Sequence, residues 1–370
     1  MCCSSELLSI AVIGGGNIGT QFACQCASKG YKVNVLSSKQ ELFTGELMMV
    51  DDYGRVTRAN IHLATNNVDE AVKGCNVIFI TYPAFKLAEI AEKLVDYSHE
   101  GVYICVVPGT GGAEFAFKNC VFAGATLIGL QRVPSVSRLE EYGRRVRCEG
   151  MRNELFIASI PGKGLGKFAA FMSEIWGIKC SIMPNYLNVT LTPSNPILHT
   201  TRLKTIFDDY TNGKIYERNP LFYGDWNDKS SELTISCDEE LQTIRKRLPQ
   251  MDLSYVKSLK LHYESDNVRA MTKKISSIPS LHNIRTPMKQ VAGGWIPDFD
   301  SRYFTADFPY GLAIIEAFAD VLKVDVPNIK DTLMWYRNVT RRDCIFDLGK
   351  FGICNEADIY KFYQTKGNNI

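Results

Sequence analysis

A strand that runs directly into three glycines is the feature that most constrains the fold of this chain. Residues 10–13 are Ile-Ala-Val-Ile, and four apolar side chains in a row are typical of a buried strand. Gly14, Gly16 and Gly19 follow with the spacing G-x-G-x-x-G, and an amphipathic helical pattern continues to Lys29. The sequence therefore predicts a strand, a tight turn and a helix at this point of the chain.

This turn is typical of a dinucleotide-binding site. Gly14 allows the tight turn, Gly16 lets the backbone approach a pyrophosphate, and Gly19 lets the helix pack closely on the strand. The helix begins with Asn17 and Ile18. Its N-terminus presents unpaired backbone N–H groups to the phosphates. We therefore expect these five residues to bind a nicotinamide dinucleotide. A glycine-rich turn without a ligand is the alternative.

The end of the second predicted strand, residues 32–38, bears on the choice of cofactor. NAD sites usually place Asp or Glu there to bind the ribose hydroxyls, whereas this chain has Ser37, Ser38 and Lys39. A carboxylate would repel a 2′-phosphate, and two hydroxyls with a lysine would bind one. The sequence therefore favours NADP(H) over NAD(H). The nearby Glu41 argues against this preference, and an ordinary solvated turn is the alternative.

Strands and helices alternate through the first half of the chain. Strand patterns at residues 76–82, 101–107, 126–130 and 154–160 are interleaved with helical patterns at residues 68–72, 85–95 and 164–176, and a hairpin is predicted around residues 51–54. Such alternation predicts a parallel sheet with right-handed crossovers. Pro83 and Gly109 follow two of these strands, at the edge where doubly wound sheets bind ligands. We therefore predict a Rossmann-type, dinucleotide-binding domain over residues 1–183.

The second half, residues 184–370, is predicted to be a mostly α-helical domain. Residues 195–206 form a helical pattern in which Asn195 is the N-cap and Pro196 the first helical residue. His199 then lies in the first turn, at the positive end of the helix dipole. Further helices are predicted at residues 241–247, 253–263, 309–322 and 328–339, with an insertion or lid at 208–240 and a loop at 293–298. The cleft between the domains is the expected site.

Composition narrows the classes of partner. A net charge of +2 gives no reason to expect nucleic acid or a membrane surface. No apolar run reaches the ~18 residues that span a bilayer, and the first strand begins too early to leave room for a signal peptide. The twelve cysteines include no C-x-x-C pair and the five histidines have no ligand spacing. We therefore expect a cytoplasmic protein with reduced thiols and no metal site.

Two segments of the second half carry a family resemblance. They are Asn-Pro-Ile-Leu-His at residues 195–199 and Ser-Arg-Tyr-Phe-Thr-Ala-Asp-Phe-Pro-Tyr-Gly at residues 301–311. Together they resemble the N-P-x-x-H and R-Y-x-x-E-D-x-P-Y-G segments of the opine dehydrogenases, the octopine and nopaline dehydrogenase family. Residues 129–138 are similar to a third family segment, E-T-x-P-x-x-x-R. Gln131 and Arg132 replace its first two residues, and Ala306 stands where the family has Glu.

The resemblance implies an oxidoreductase that condenses a 2-oxo acid with the amino group of an amino acid and reduces the resulting imine with NADH or NADPH. It also implies a two-domain architecture like that of 6-phosphogluconate dehydrogenase. The expected partners are these small molecules, with a homodimer as one assembly. By resemblance, His199 is the acid/base and Asp307 its partner. Arg302 binds a substrate carboxylate, and Arg138 and Asn195 are further substrate-binding candidates.

These residue types suit the chemistry that the resemblance implies. An unperturbed histidine titrates near ~6.5 and can exchange protons at neutral pH. A position in the first turn of a helix would lower the pKa of His199, and Asp307 would raise it and fix the tautomer. Arginine offers a planar fork for bidentate carboxylate binding. Two structural alternatives remain: Asp307 caps the following helix, or Arg302 pairs with Asp298 or Asp300.

Two other functions stay open at this point. A 2-hydroxyacid or ketopantoate-type reductase has a similar architecture but relies on a catalytic lysine, for which Lys204 and Lys260 are the candidates. A catalytically inactive NADP(H) sensor is the second alternative, because Gln131 and Ala306 depart from the family segments. Oxidation of the cofactor by an oxo acid alone would favour the reductase. Tight cofactor binding without turnover would favour the sensor.

Overall fold

The computed structural model describes residues 9–162 and 164–363. The chain divides into two compact units. The first runs to Val189 and also includes Tyr363, and the second spans Thr190–Phe362. The first unit contains two β-sheets with helices, and the second is mostly helical. The predicted fold class, an α/β domain followed by a mostly α-helical domain, is therefore confirmed.

The main sheet of the first unit has eight strands in the order β12-β11-β8-β7-β6-β1-β2-β5. The strands of this unit are β1 Ser9–Ile13, β2 Lys32–Leu36, β3 Leu47–Val50, β4 Val56–Ala59, β5 Leu63–Thr65, β6 Val77–Ile80, β7 Tyr103–Val106, β8 Thr126–Leu130, β9 Val136–Glu141, β10 Arg145–Glu149, β11 Glu154–Ile160 and β12 Lys179–Ile182. Neighbouring strands are parallel except β8 and β11, which are antiparallel. The expectation of a wholly parallel sheet was wrong there, because the chain returns through the β9–β10 hairpin rather than through a crossover helix.

A second sheet, in the order β4-β3-β10-β9, lies against helix α1. The predicted hairpin around residues 51–54 is confirmed as the antiparallel pair β3–β4. Strands β9 and β10 were not predicted: β9 has no clear apolar alternation, and β10 alternates over only five residues, of which Val146 and Cys148 are the buried apolar ones. Their sheet is tied to α1 by side chains: Gln21 Nε2 donates to Ser135 Oγ at 2.7 Å, and Leu139 N donates to Asn17 Oδ1 at 2.8 Å.

The helices of the first unit cover the main sheet with an aromatic core. They are α1 Asn17–Ser28, α2 Val68–Val72, α3 Leu87–Leu94, α4 Ala113–Ala116, α5 Lys118–Phe122, α6 Gly166–Trp176 and α7 Leu187–Thr190, the last of which continues into the second unit. The Phe22 ring of α1 lies 4.9 Å from Phe79 on β6 and 4.9 Å from Trp176 on α6, measured between ring centroids. Burial of these rings fixes α1, and with it the glycine turn, on the sheet.

The second unit is built from helices and one hairpin. Its helices are α8 Thr200–Ile206, α9 Asp228–Lys246, α10 Leu259–His262, α11 Val268–Ser276, α12 Pro279–His282, α13 Arg302–Thr305, α14 Ala313–Leu322, α15 Pro327–Thr340 and α16 Glu356–Tyr363, and the hairpin pairs β13 Met288–Val291 with β14 Gly294–Pro297. The predicted apolar face of α14 is confirmed, since Ile314, Ile315 and Phe318 are buried. No helix in the described ranges combines the length and hydrophobicity needed to cross a bilayer.

Three predictions for the second unit were wrong. The helix predicted to begin at residue 241 begins at Asp228 as α9, where Asn227 caps it by accepting from Ser230 N, so the segment predicted as an insertion or lid is non-helical only over residues 208–227. The helix predicted over residues 253–263 is only α10, and the loop predicted at 293–298 contains strand β14. Two of these errors missed local signals, since Asn227 is a local helix cap and β14 pairs with the adjacent strand β13.

Candidate active site

The glycine turn has the geometry that a bound pyrophosphate requires. Gly14 has a φ of +114°, which disfavours any residue with a β-carbon. A β-carbon on Gly19 would lie 1.6 Å from the Gly14 carbonyl oxygen, so only glycine allows α1 to approach this closely. A β-carbon on Gly16 would meet nothing within 4 Å. The space beside Gly16 is therefore open, as a phosphate-binding turn needs.

The N-terminus of α1 has no side-chain cap among the described residues. Gly16 occupies the N-cap without a side-chain hydrogen bond, and the first turn carries no acidic residue. Asn17 is exposed, and its side-chain oxygen is held by the second sheet. Ile18 packs against the apolar core and orients the turn. An uncapped helix N-terminus without an acidic side chain is an arrangement that favours phosphates, and the binding of a cofactor there stays a prediction.

The end of β2 differs from the sequence expectation in one respect. Ser37 is buried, and its Oγ lies 2.9 Å from Tyr142 Oη and accepts from Lys39 N at 3.0 Å. Ser37 therefore shapes the turn rather than presenting a free hydroxyl. Ser38 and Lys39 are exposed, and the Lys39 ammonium lies 5.2 Å from the centre of the Tyr142 ring. This cation–π contact holds the lysine side chain against Tyr142, in the turn between β9 and β10.

Pro83 and Gly109 lie beyond the ends of β6 and β7, as predicted. Pro83 precedes a short helical turn at residues 84–86 and is half-buried. Gly109 has a packing reason for being glycine, because a β-carbon there would lie 2.3 Å from Gly129 Cα. Its N–H donates to Leu130 O at 2.8 Å, so the turn is joined to β8. The cofactor contacts of both residues stay predictions.

The second unit holds the predicted histidine and aspartate together. His199 Nδ1 lies 2.7 Å from Asp307 Oδ2, although the residues are 108 positions apart. The His199 side chain is 6% exposed and that of Asp307 is 13% exposed. Asp307 makes no side-chain cap to the helix that follows it. The alternative that it serves as a capping residue is therefore not observed.

Two π-helical turns bring these side chains together. Ser194–His199 forms one such turn before α8, and Phe308–Leu312 forms the other before α14. A β-carbon on Gly311 would lie 3.1 Å from Pro196 Cβ, so the two turns are in close contact. His199 ends the first turn and Asp307 immediately precedes the second. Such turns are frequent at functional sites, where they redirect side chains.

The predicted cap at Asn195 was wrong. The helical segment begins earlier, at Ser194, with Pro193 in the N-cap position and no side-chain cap. His199 consequently lies a full turn inside the helical segment, and the argument from the positive end of a helix dipole does not apply to it. Asn195 is half-buried within the π-helical turn. A π-helical turn has no sequence signature distinct from an α-helix, which explains the error.

Tyr223 is part of the site and was not predicted. Its Oη lies 2.8 Å from His199 Nε2, so both imidazole nitrogens have partners. The Tyr303 ring lies 4.7 Å from the imidazole, measured between centroids. The run Leu-Phe-Tyr-Gly-Asp-Trp at residues 221–226 was the only signal for Tyr223. Its aromatic composition alone does not identify which ring reaches the histidine.

The predicted substrate-binding arginines have different surroundings. Arg302 begins α13 and is exposed, with its guanidinium 5.8 Å from the centre of the Tyr303 ring. Within the described residues it makes no ion pair, since Asp300 pairs with Lys289 and Arg342, and Asp298 pairs with Lys289. The structural alternative for Arg302 is therefore not observed.

Arg138 lies in the first unit, on β9, where it is exposed and donates to Ser137 O at 2.8 Å. Its role in substrate binding stays a prediction. Lys204 and Lys260, the candidates for a catalytic lysine, are in ion pairs with Asp331 and Glu239. Across the described ranges, no cluster of three or more His, Cys, Asp or Glu side chains could hold a metal ion.

Comparison with known proteins gives a consistent result for both units. Residues 182–340 match the family described as NAD/NADP octopine/nopaline dehydrogenase, alpha-helical domain. Residues 9–109 match NADP oxidoreductase coenzyme F420-dependent. The chain is 24% identical to octopine dehydrogenase of Pecten maximus over 371 residues, which cover 92% of each protein.

Solved structures share the fold. An octopine dehydrogenase solved with NADH and L-arginine superposes with a TM-score of 0.82 at 21% identity, covering 98% of this chain and 100% of that one. A yersinopine dehydrogenase with bound NADP⁺ superposes with a TM-score of 0.65 at 11% identity, covering 90% of this chain and 91% of that one. The match of residues 182–340 and the similarity to octopine dehydrogenase over 92% of the chain identify this protein as an NAD(P)-dependent oxidoreductase that resembles the opine dehydrogenases.

Proposed function

We propose that the protein catalyses the NAD(P)H-dependent reductive condensation of a 2-oxo acid with the amino group of an amino acid, through an imine. The observation that carries this proposal is the buried contact of 2.7 Å between His199 Nδ1 and Asp307 Oδ2. A histidine oriented by a carboxylate is suited to proton transfer near neutral pH. Imine formation requires such transfers, because the amine loses protons and the carbonyl oxygen leaves as water.

Asp307 and His199 have separate roles in this proposal. The Asp307 carboxylate accepts a hydrogen bond from Nδ1–H, so Nε2 is the nitrogen that gains and loses a proton. As an imidazolium, His199 supplies a proton toward the oxygen that leaves, and as a neutral ring it receives one from the amine. Asp307 stabilises the imidazolium and fixes the ring orientation.

Residues of the first unit fit a nicotinamide dinucleotide. The open space beside Gly16 and the uncapped N-terminus of α1 would receive the pyrophosphate. When bound, the cofactor supplies the hydride that reduces the imine carbon. We propose a preference for NADP(H), which rests on the exposed Ser38 and on Lys39, whose ammonium has no acidic partner among the described residues. Octopine dehydrogenase has been solved with NADH, so the preference requires a direct test.

Arg302 is proposed to bind a substrate carboxylate. Both proposed substrates carry a carboxylate, and the exposed guanidinium of Arg302 has no carboxylate partner within the described residues. A bidentate pair with this fork would orient the substrate as well as bind it. The ketopantoate-type alternative is disfavoured, because Lys204 and Lys260 are both engaged in ion pairs.

The decisive experiment measures oxidation of NADPH and of NADH with a matrix of 2-oxo acids and amino acids. Pyruvate, 2-oxoglutarate and glyoxylate are each combined with the common amino acids, and the product is identified by mass. Oxidation that requires both substrates is the expected result, with a higher kcat/KM for NADPH. Oxidation with the oxo acid alone would establish a simple ketoacid reductase instead. Cofactor binding without any turnover would favour the sensor.

A further inference from the structure

The proton-transferring nitrogen of His199 is covered by a tyrosine. Tyr223 Oη lies 2.8 Å from His199 Nε2, and each of the two residues is only 5% exposed. The other ring nitrogen is held by Asp307. Nε2 has one proton or one lone pair to share, so no substrate atom can bond to it while the tyrosine contact is in place.

The Tyr223 ring is held by its neighbours. It packs edge-on against Phe222 with centroids 4.9 Å apart, and it is stacked parallel to Trp226 at 6.3 Å. Trp226 is fixed in turn by a hydrogen bond of 2.9 Å from Nε1 to Ser231 Oγ. A rotation of Tyr223 away from the histidine would therefore disturb several packed rings at once.

The backbone of the same loop is also fixed. The buried Arg202 donates to the carbonyl oxygens of Phe222 at 2.8 Å and of Asp225 at 2.7 Å. Its guanidinium also lies 5.3 Å from the centre of the Trp226 ring. Arg202 thereby ties the segment on either side of Tyr223 to α8. Neither the ring nor its backbone has an easy path out of contact with His199.

We propose that the Tyr223 hydroxyl carries the proton between His199 and the substrate, so that the site is a relay of Asp307, His199 and Tyr223. This inference rests on the proposed function. In the forward step, Tyr223 Oη–H gives its proton to the substrate oxygen as the amine nitrogen bonds to the carbonyl carbon. Tyr223 Oη takes the proton of His199 Nε2 in the same step. The imidazolium becomes neutral, the tyrosine is regenerated, and no oxidation or reduction is involved.

The surroundings of Tyr223 suit a group that gives and receives a proton in one step. Burial raises the pKa of Tyr223 well above its ordinary value, and the neighbouring Tyr303, Tyr263 and Asp307 raise it further. The Arg302 charge opposes these effects. The hydroxyl therefore stays protonated at neutral pH and a free phenolate does not accumulate. The Arg302 guanidinium lies 5.8 Å from the centre of the Tyr303 ring, which is itself 4.7 Å from the His199 ring, so the proposed carboxylate-binding group is near the relay.

The test compares Tyr223→Phe with Tyr216→Phe in the full-length protein. Tyr216 is in the same segment, but its hydroxyl donates to the surface carboxylate of Asp209. We expect Tyr223→Phe to lower kcat for reductive condensation by about 10²-fold with little change in KM, since general acid–base catalysis contributes on that order. Tyr216→Phe should retain the wild-type kcat. The ¹⁵N resonance of His199 Nε2, assigned with His199→Asn, should shift in Tyr223→Phe even without substrates.

Two outcomes would overturn the relay. One is a Tyr223→Phe protein with wild-type kcat and pH profile. The other is a loss of kcat accompanied by a parallel rise in KM and a lower Tm, which would indicate a structural role only. If the phenylalanine variant does not fold, 3-fluorotyrosine at position 223 replaces it, and the more acidic hydroxyl should move the high-pH limb of kcat to lower pH. A wild-type protein without two-substrate turnover would contradict the proposed function, whereas the outcomes above require that turnover.

Discussion

The Asp307 carboxylate lies 2.7 Å from Nδ1 of His199, and the contact joins two π-helical turns. The close approach of Gly311 to Pro196 holds the turns together. The pair is therefore set by the packing of two helix starts and not by spacing along one helix. Any change that separates the two turns should affect proton transfer before it affects cofactor binding.

Replacing Asp307 by Asn should lower kcat by about 10²- to 10⁴-fold. The amide can present an N–H to Nδ1, which places the ring proton on Nε2 and leaves the imidazolium without its carboxylate. Steady-state kinetics of imine reduction measure the effect. Asp320→Asn, which alters a surface ion pair with Lys330, serves as the control and should be fully active. A fully active Asp307→Asn protein would contradict the proposed role.

Two glycine substitutions should separate folding from cofactor binding. Gly19→Ala places a β-carbon 1.6 Å from the Gly14 carbonyl oxygen, so the helix must move and the Tm of the cofactor-free protein should fall. Gly16→Ala adds a β-carbon in open space at a φ of −80°, so the Tm should be unchanged. The Kd for NAD(P)H should nevertheless rise about 10-fold or more, because the methyl group occupies the proposed pyrophosphate space. Thermal melts and fluorescence titration give the two readouts, and an unchanged Kd in Gly16→Ala would refute this placement.

Replacing Arg302 by Lys should raise KM for the 2-oxo acid by about 10- to 100-fold. Lysine keeps the charge but loses the bidentate fork, and a charge-assisted hydrogen bond is worth about 1.5–3 kcal/mol. KM for each substrate is measured with the other saturating. Arg269→Lys, an exposed arginine on α11, should leave both KM values unchanged. Equal KM values in Arg302→Lys and the wild type would remove Arg302 from the substrate site.

Asp238 should make stability depend on pH. Burial raises its pKa to about 6, even though Leu259 N donates to Oδ2 at 2.8 Å. An unfolded aspartate titrates near ~3.9. The stability contributed by the protonated carboxyl is therefore full below about pH 4 and is lost as the pH rises toward 6. One pKa unit corresponds to about 1.4 kcal/mol, so the loss is on the order of 3 kcal/mol.

The Asp238→Asn protein provides the measurement. Its free energy of unfolding, relative to the wild type, should increase between pH 4 and pH 7 and then level off. Urea denaturation at several pH values determines this difference. Asp266→Asn, at an exposed position, should show no such change. A pH-independent difference for Asp238→Asn would mean that folding does not raise the pKa of the Asp238 carboxyl.

The sequence by itself determined the features that depend on neighbouring residues. Gly14 and Gly19 identified the turn because its backbone conformation and its close packing exclude a β-carbon at these two positions. The buried strands β8 and β11 were predicted at their observed bounds, since short apolar runs are a local signal. The pairing of His199 with Asp307 was predicted only through family resemblance, because nothing in the spacing of residues 108 positions apart indicates contact.

Tertiary structure decided the features that depend on packing between distant segments. The contact of Tyr223 with His199 arises from a loop fixed by Arg202, and no local pattern encodes which ring of residues 221–226 faces the histidine. The hydrogen bond between Ser37 and Tyr142 depends on the β9–β10 hairpin, which follows about a hundred residues later in the chain. Local propensities act over a few residues, whereas side-chain contacts of this kind are selected by the burial of the whole core. The sequence therefore determines the elements and the chemistry of their residues, and the packed structure determines which of those residues meet.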